Sequence, residues 1–362
     1  MKLDPSSCRR RQARLLAEME NLGVANAVLC HPAHVLYLTG FLTSRLHKSA
    51  VVLRKDGRCY LVSCAAGDDD LAMDQHVPYE ASALATLRMD QAATIAEAVS
   101  KIIGKAPGAA GLDKGDSSAF LGEMAQSSID LGPVLIRLRR KKDADELAIM
   151  HKGIEITHAA YVRARAIIAP GISELELYAE LRKAAVLEAG EDLPVFGNDF
   201  QSASSGGPPR DRKAGAGELW VLDLGPQYAG YYADNCRTFA VDGSPTQPQL
   251  EAWRKIAAVL SHVEKRVKPG VSCSEIFEEC KEMLDSQRPG AFFHHLGHGV
   301  GLSPHEQPNL NPHWDHYFEE GDFFTAEPGL YYDELKAGIR LEENYLVTTD
   351  GLRKLTSFPL EL

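Results

Sequence analysis

The sequence predicts two domains: an α/β N-terminal domain over residues 1–140, and an α+β C-terminal domain over residues 141–362 with an internal pseudo-two-fold repeat. Three observations lead there. In the first 140 residues, short apolar runs alternate with helical patterns in a βαβ-like rhythm. In the remainder, a long helical pattern, a Pro-Gly stop and a capping-box spacing occur twice, 99 residues apart. Each copy then runs into a β-hairpin that carries two acidic residues among apolar ones.

Residues 9–22 have helical apolar spacing and stop at Gly23. The run Ala27–Cys30 (AVLC) has the pattern of a buried strand and is followed by YLTGF at Tyr37–Phe41. Residues 50–63 read as a hairpin turning at Asp56-Gly57. Helical patterns at 94–104 and 117–127 alternate with apolar runs at 109–112 and 134–138. The basic run Arg137–Lys142 reads as a solvated segment at the domain boundary. The first repeat begins with a helix over 143–168, ended by Pro170-Gly171, after which Ser173 and Glu176 have capping-box spacing. The second begins with a helix over 247–267, ended by Pro269-Gly270, with Ser272 and Glu275 in the same relation. Strands are expected at 218–225 and 229–241, and again at 321–332 and 338–348.

The balance of 39 Lys and Arg against 50 Asp and Glu, a net charge of −11, argues against a general nucleic-acid binder. No signal peptide follows Arg9–Arg11, and no window reaches the roughly 18 apolar residues of a membrane span. Seven scattered cysteines without a C-x-x-C pair fit reduced thiols and a cytoplasmic location.

Six of the thirteen histidines lie between His294 and His316. His294 and His298 are spaced like a helical zinc pair, but Gly297, Gly299 and Gly301 disfavour a helix. The glycines favour a loop whose backbone packs closely against something. Asp223 ends a strongly apolar strand and Asp234 lies on its return; Glu327 follows an apolar run and Glu342 lies on the second return. A carboxylate among apolar residues is costly to bury unless it is paired or holds a metal. Four of them with a histidine make a two-metal site, and an oxygen-rich shell with one imidazole suits Mn²⁺, Co²⁺, Fe²⁺ or Zn²⁺.

The segments Asp223-Leu-Gly, Asp234-Asn-Cys-Arg-Thr-Phe, His298-Gly-Val-Gly-Leu-Ser-Pro-His305-Glu, Glu327-Pro-Gly-Leu-Tyr and Arg340-Leu-Glu342-Glu-Asn together resemble the M24 metallopeptidases of the pita-bread fold. YLTGF and the two-domain layout resemble their prolidase and aminopeptidase P branch. The resemblance implies that Asp223 chelates one ion, that His298 and Glu327 bind the other, and that Asp234 and Glu342 bridge the two. The ions would be divalent (Mn, Co or Zn, Mn foremost) and would activate a water. It further implies Glu327 as proton shuttle and His294 and His305 as residues that contact substrate and its tetrahedral intermediate. Arg340 would bind substrate or orient a carboxylate, Glu342 or one nearby. His295 stands outside the family pattern and reads as a neighbour without a role. The implied activity is hydrolysis of Xaa-Pro bonds in short peptides by a homodimer. Arg45 and His47, just beyond YLTGF, are candidates to reach the pocket, with loop residues of no role as the alternative.

One position departs from the family pattern, which has a substrate-contacting histidine seventeen residues before the first ligand Asp. Here that position is Gly206, in a Ser-, Gly- and Pro-rich loop, and no histidine lies between His158 and His262. A smaller departure is Ser303-Pro304 ahead of His305. The changed loop raises a second reading, a hydrolase or lyase of another small metabolite, and predicts that Gly206→His would raise activity on Xaa-Pro dipeptides. A third reading, a pita-bread domain that only binds a partner, would require lost ligands, and all five are present.

Overall fold

The computed structural model describes residues 1–65, 70–104, 109–113 and 128–362, which form two compact units, Met1–Arg139 and Arg140–Leu362. The helical pattern expected at 117–127 lies outside the described residues.

In the first unit, α1 (Pro5–Asn21) begins at Asp4, whose carboxylate accepts from the Ser6 and Ser7 amides. Its chain leads into β1 (Val24–Leu29), the middle of a mixed sheet with β2 (Ala50–Arg54), β3 (Cys59–Ser63), β4 (Gln75–Pro78), β5 (Ala109–Leu112) and β6 (Ser128–Asp130). β2 and β3 are the expected hairpin, with Gly57 in the left-handed conformation its turn requires. Tyr37–Thr39 of YLTGF belong to helix α2 (Pro32–Thr39), which Gly40 ends at φ 79°.

The apolar run at 134–138 is helical, not extended: α3 (Gln91–Ile103) is followed in the described chain by α4 (Gly132–Arg140). Val134, Leu135, Arg139 and Arg140 are buried on it, at helical spacing, while Ile136 is exposed. The basic run is not a solvated segment either. Arg140 forks onto Asp322 at 2.9 and 2.7 Å and reaches Glu319 at 2.8 Å, and Lys142 is buried against Glu306 at 3.0 Å. Buried cations need such partners, and the sequence places these acids some 180 residues away.

The second unit repeats helix pair and strands. Helices α5 (Ala144–Ile167) and α6 (Glu174–Ala189) form one antiparallel pair, α7 (Gln247–Arg266) and α8 (Cys273–Asp285) the other. Ser173 and Glu176 close a reciprocal capping box, and Ser272 accepts from the Glu275 amide at 3.3 Å. β7 (Leu219–Leu224) pairs antiparallel with β8 (Asn235–Ala240). The second half contributes β9 (Gly297–Gly299), β10 (Glu306–Leu310), β11 (Phe323–Ala326), β12 (Glu343–Val347) and β13 (Leu352–Lys354), in sheet order β10-β9-β11-β12-β13. Apolar faces of α7 and α8, among them Ile256, Leu260, Ile276 and Phe277, pack with Phe324, Leu341 and Tyr345 into one core. The two halves are tied directly behind the acidic residues. Glu342 N donates to Cys236 O, Asn235 Nδ2 to Glu342 O, and Asn344 Nδ2 to Asp234 O, all within 3.0 Å.

Candidate metal centre and active site

The central strands deliver four carboxylates to one point. Asp223 lies on β7 opposite Cys236, and Asp234 immediately precedes β8. Glu327 follows β11 and Glu342 precedes β12, next to the pair Ala326–Glu343. His298 is the middle residue of β9. A Cβ on either flanking glycine would run into a neighbouring strand's carbonyl, Thr325 O for Gly297 and Gln307 O for Gly299. The Gly-His-Gly pattern is thus what lets β9 slip between β10 and β11 with its imidazole aimed at the acids.

All five side chains are buried. His298 Nε2 lies 3.4 Å from Glu327 Oε1 and 3.7 Å from Asp234 Oδ2. Its Nδ1–H donates to Gly299 O at 3.0 Å, which leaves Nε2 with a free lone pair. Two triads, Asp234–His298–Glu342 and Asp223–Glu327–Glu342, each place their donor atoms within 4.8 Å of one another. Among the described residues, both oxygens of Glu342 and Oδ1 of Asp223 are buried without a hydrogen-bond partner. Burial and mutual repulsion push Asp223 up to about 6 and raise Asp234 and Glu342 well above the usual carboxylate range. Glu327 is the exception: burial opposes its charge, but the hydrogen bond from His295 and the nearby His298 ring outweigh it and hold the carboxyl well below its usual range. Orphaned oxygens, crowded acids and a free imidazole lone pair fit a pair of divalent cations.

Beside the acids runs a polar chain. Arg340 Nη2 donates to Asp223 Oδ2 at 2.7 Å and to Asp199, and its Nη1 donates to the Tyr331 hydroxyl at 3.1 Å. The carboxylates Arg340 holds are therefore Asp223 and Asp199, not Glu342. Tyr331 Oη is 3.0 Å from His294 Nε2, and His294 Nδ1 is 2.7 Å from His295 O. Since a carbonyl only accepts, Nδ1 carries the proton and the tyrosine donates to Nε2. Burial lowers His294 to about 4, so this neutral tautomer persists at physiological pH. His305, lowered to about 4 chiefly by burial, stacks on His298 with ring centroids 3.7 Å apart.

These groups line a cavity of about 330 Å³ together with Asn198, Ser205, Gly206 and Phe293. Gly206 faces Asp199: it has φ 151°, and a Cβ there would lie 2.5 Å from the Asp199 carboxylate. This geometry counts against the expected benefit of Gly206→His, because a side chain there would press on Asp199 and strain the backbone. Arg45 and His47 belong to a loop of the first unit, where Arg45 is exposed.

Asp199, Tyr331 and His295 were not read as site residues from the sequence. Asp199 reaches the site because its backbone bridges Asp223 through Asp223 N→Asp199 O at 3.0 Å. Tyr331 closes the Glu-Pro-Gly-Leu-Tyr segment and was available as a signal. His295, expected to be a neighbour without a role, lies with Nε2 2.8 Å from Glu327 Oε1.

Comparison with known proteins agrees with this architecture. The model of metallopeptidase family M24 matches residues 148–349, and that of the creatinase/prolidase N-terminal domain matches residues 11–140. The chain belongs to metallopeptidase family M24 and has its pita-bread fold, preceded in sequence by a creatinase/prolidase-type N-terminal domain. A Xaa-Pro dipeptidase from Pyrococcus furiosus is 32% identical over 234 residues, 63% of this chain and 66% of that protein. One from Pyrococcus horikoshii is 31% identical over the same shares. Among solved structures, dipeptidase PepE from Mycobacterium ulcerans superposes with a TM-score of 0.81 at 25% identity, covering 100% of this chain and 99% of that one. An X-Pro aminopeptidase from Thermotoga maritima shares the fold at 23% identity, with a TM-score of 0.78 over 97% of this chain and 98% of that one.

Proposed function

We propose that the protein is a metal-dependent peptidase that cleaves the Xaa-Pro bond of dipeptides or short peptides. One observation carries this reading: Glu342, with both oxygens unpaired, sits amid three further carboxylates and the aimed Nε2 of His298, and these four neighbours line a small cavity. The Xaa-Pro dipeptidases among its relatives supply the substrate class. The metabolite-specific alternative has no such support.

In this reading Asp223, Asp234 and Glu342 would hold one divalent ion, and His298 and Glu327, with Asp234 and Glu342, would hold the second. Manganese, cobalt and zinc all suit these donors. When bound, the ions polarise the scissile carbonyl and make an attacking water more acidic. Glu327, kept ionised by its histidine contacts, accepts the proton from that water and delivers it to the departing proline nitrogen. Neutral His294 and His305 line the cavity and hydrogen-bond the substrate and its tetrahedral intermediate. Arg340 lines the same cavity but is itself held by two aspartates, so it acts on substrate mainly by fixing Asp223. Residues 1–140 and 141–362 are assigned as the N-terminal and catalytic domains. Seven free cysteines support a cytoplasmic location. Among the described residues no helix is long and apolar enough to cross a membrane. A homodimer without nucleic-acid or membrane partners completes the proposal.

The test is hydrolysis of Ala-Pro, Leu-Pro and a longer Xaa-Pro peptide by EDTA-stripped protein, with and without Mn²⁺ or Co²⁺. Metal-restored cleavage of dipeptides alone identifies a dipeptidase, and cleavage of the longer peptide an aminopeptidase. Failure to cleave any of them by protein loaded with two ions overturns the reading.

A further inference from the structure

We propose that His295 is an additional protein donor to the ion held by His298 and Glu327. This half of the centre then has two imidazoles and favours zinc over manganese, while the Asp223–Asp234–Glu342 half presents only oxygen. The proposal rests on the two-ion reading above and narrows it.

The geometry is local and specific. His295 Nε2 is 2.8 Å from Glu327 Oε1, and His298 Nε2 is 3.4 Å from the same oxygen, so two imidazoles converge on one carboxylate. The donor atoms of His295, His298 and His305 lie within 4.8 Å of one another, as do those of His294, His295 and Glu327. The His295 ring, 5.2 Å from that of His298 and 5.3 Å from that of His305, sits inside this cluster with its side chain 28% exposed.

The backbone fixes that placement. The His295 carbonyl accepts from His294 Nδ1, and the next residue, Leu296, is buried with its amide on Leu310 O at 3.0 Å. The chain then enters β9, which carries His298 three residues after His295.

A cation shared by His295, His298 and Glu327 replaces the hydrogen bonds these groups now make to one another. Two imidazoles and a carboxylate form a donor set well suited to zinc, whereas carboxylate-only positions suit manganese. Loss of one imidazole therefore weakens zinc binding much more than manganese binding.

The experiment titrates metal-free wild type, His295→Ala and His295→Gln with Zn²⁺ and, separately, Mn²⁺ against a competing chelator, with melting of each metal-free protein as the folding control. The expected result is a loss of at least about tenfold in Zn²⁺ affinity in both variants, with Mn²⁺ affinity nearly unchanged. Equal losses for both ions would mean that His295 only orients Glu327, and unchanged affinities that it does neither; each result overturns the proposal. Wild type that takes up two ions while the variants match it leaves the peptidase reading standing. Wild type that takes up none removes both.

Discussion

Glu342 and Glu343 are consecutive and both buried, but they meet different partners. Glu343 points to one side of its strand and meets the buried Arg237, whose Nη2 donates to Oε1 at 2.9 Å. Glu342 points to the other side, toward Asp234 and Glu327, and neither of its oxygens has a partner. The alternation of a strand sends neighbours to opposite faces. One face receives a carboxylate that is neutralised inside the protein, the other a carboxylate that waits for a charge from outside. A buried acid that finds a guanidinium is part of the scaffold. One surrounded by other acids marks a cation site.

The sharpest way to break this contrast is Glu342→Gln. Activity should fall by about 10²–10³-fold, since a donor to both ions is lost and the ions supply several kcal/mol to the reaction. Melting in EDTA at neutral pH should rise. Burial raises this group's pKa, so holding it ionised costs stability, and the amide removes that cost. Lower melting of the metal-free variant would refute the contrast. Glu343→Ala should do the reverse. It leaves Arg237 buried beside an empty site and should cost about 3–5 kcal/mol in denaturant unfolding, with the number of ions per chain unchanged.

A milder probe is pH. Asp223 has its pKa raised to about 6, and Asp234 and Glu342 are raised as well, so protons and metal ions compete for the same oxygens. A raised acid holds its proton more tightly folded than unfolded, so its contribution to stability is lost as pH rises through the folded value. The metal-free protein loses that contribution near neutrality and the ions replace it. The gain in melting temperature on adding Mn²⁺ should therefore be larger at about pH 7.5 than at about pH 5. The smallest expected effect is that of Gly206→Ala, about 1–3 kcal/mol of backbone strain, with reduced rather than increased turnover as Asp199 shifts. Dipeptidase kinetics alongside a melting curve would check it.

The repeat and the five candidate donors were legible because each violates an ordinary rule. Acids interrupt apolar strands at Asp223 and Glu327, and glycines flank His298 where a helix spacing would otherwise be read. Asp199, Tyr331 and His295 broke no rule. Asp199 depends on a backbone bridge to Asp223, Tyr331 on a hydroxyl wedged between Arg340 and His294, and His295 on the direction of one side chain. The burial of Arg140 and Lys142 was hidden for the same reason: their partners lie far away in sequence.

The segment from Asn198 to Arg212 has an anchorage of its own. Glu174, buried at the start of α6, accepts from the Ser202 amide and hydroxyl and from the amide and guanidinium of Arg210. Arg212 meanwhile bridges Ser202 Oγ and Glu218. None of these bonds involves a donor of the metal centre. The tip between Ala203 and Pro209 is thus a cassette clipped at its base. Within it Gly206 and Gly207 lie against the Asp199 carboxylate, so a graft that keeps these two glycines can change the rest of the tip while the strands that carry the acids stay as they are.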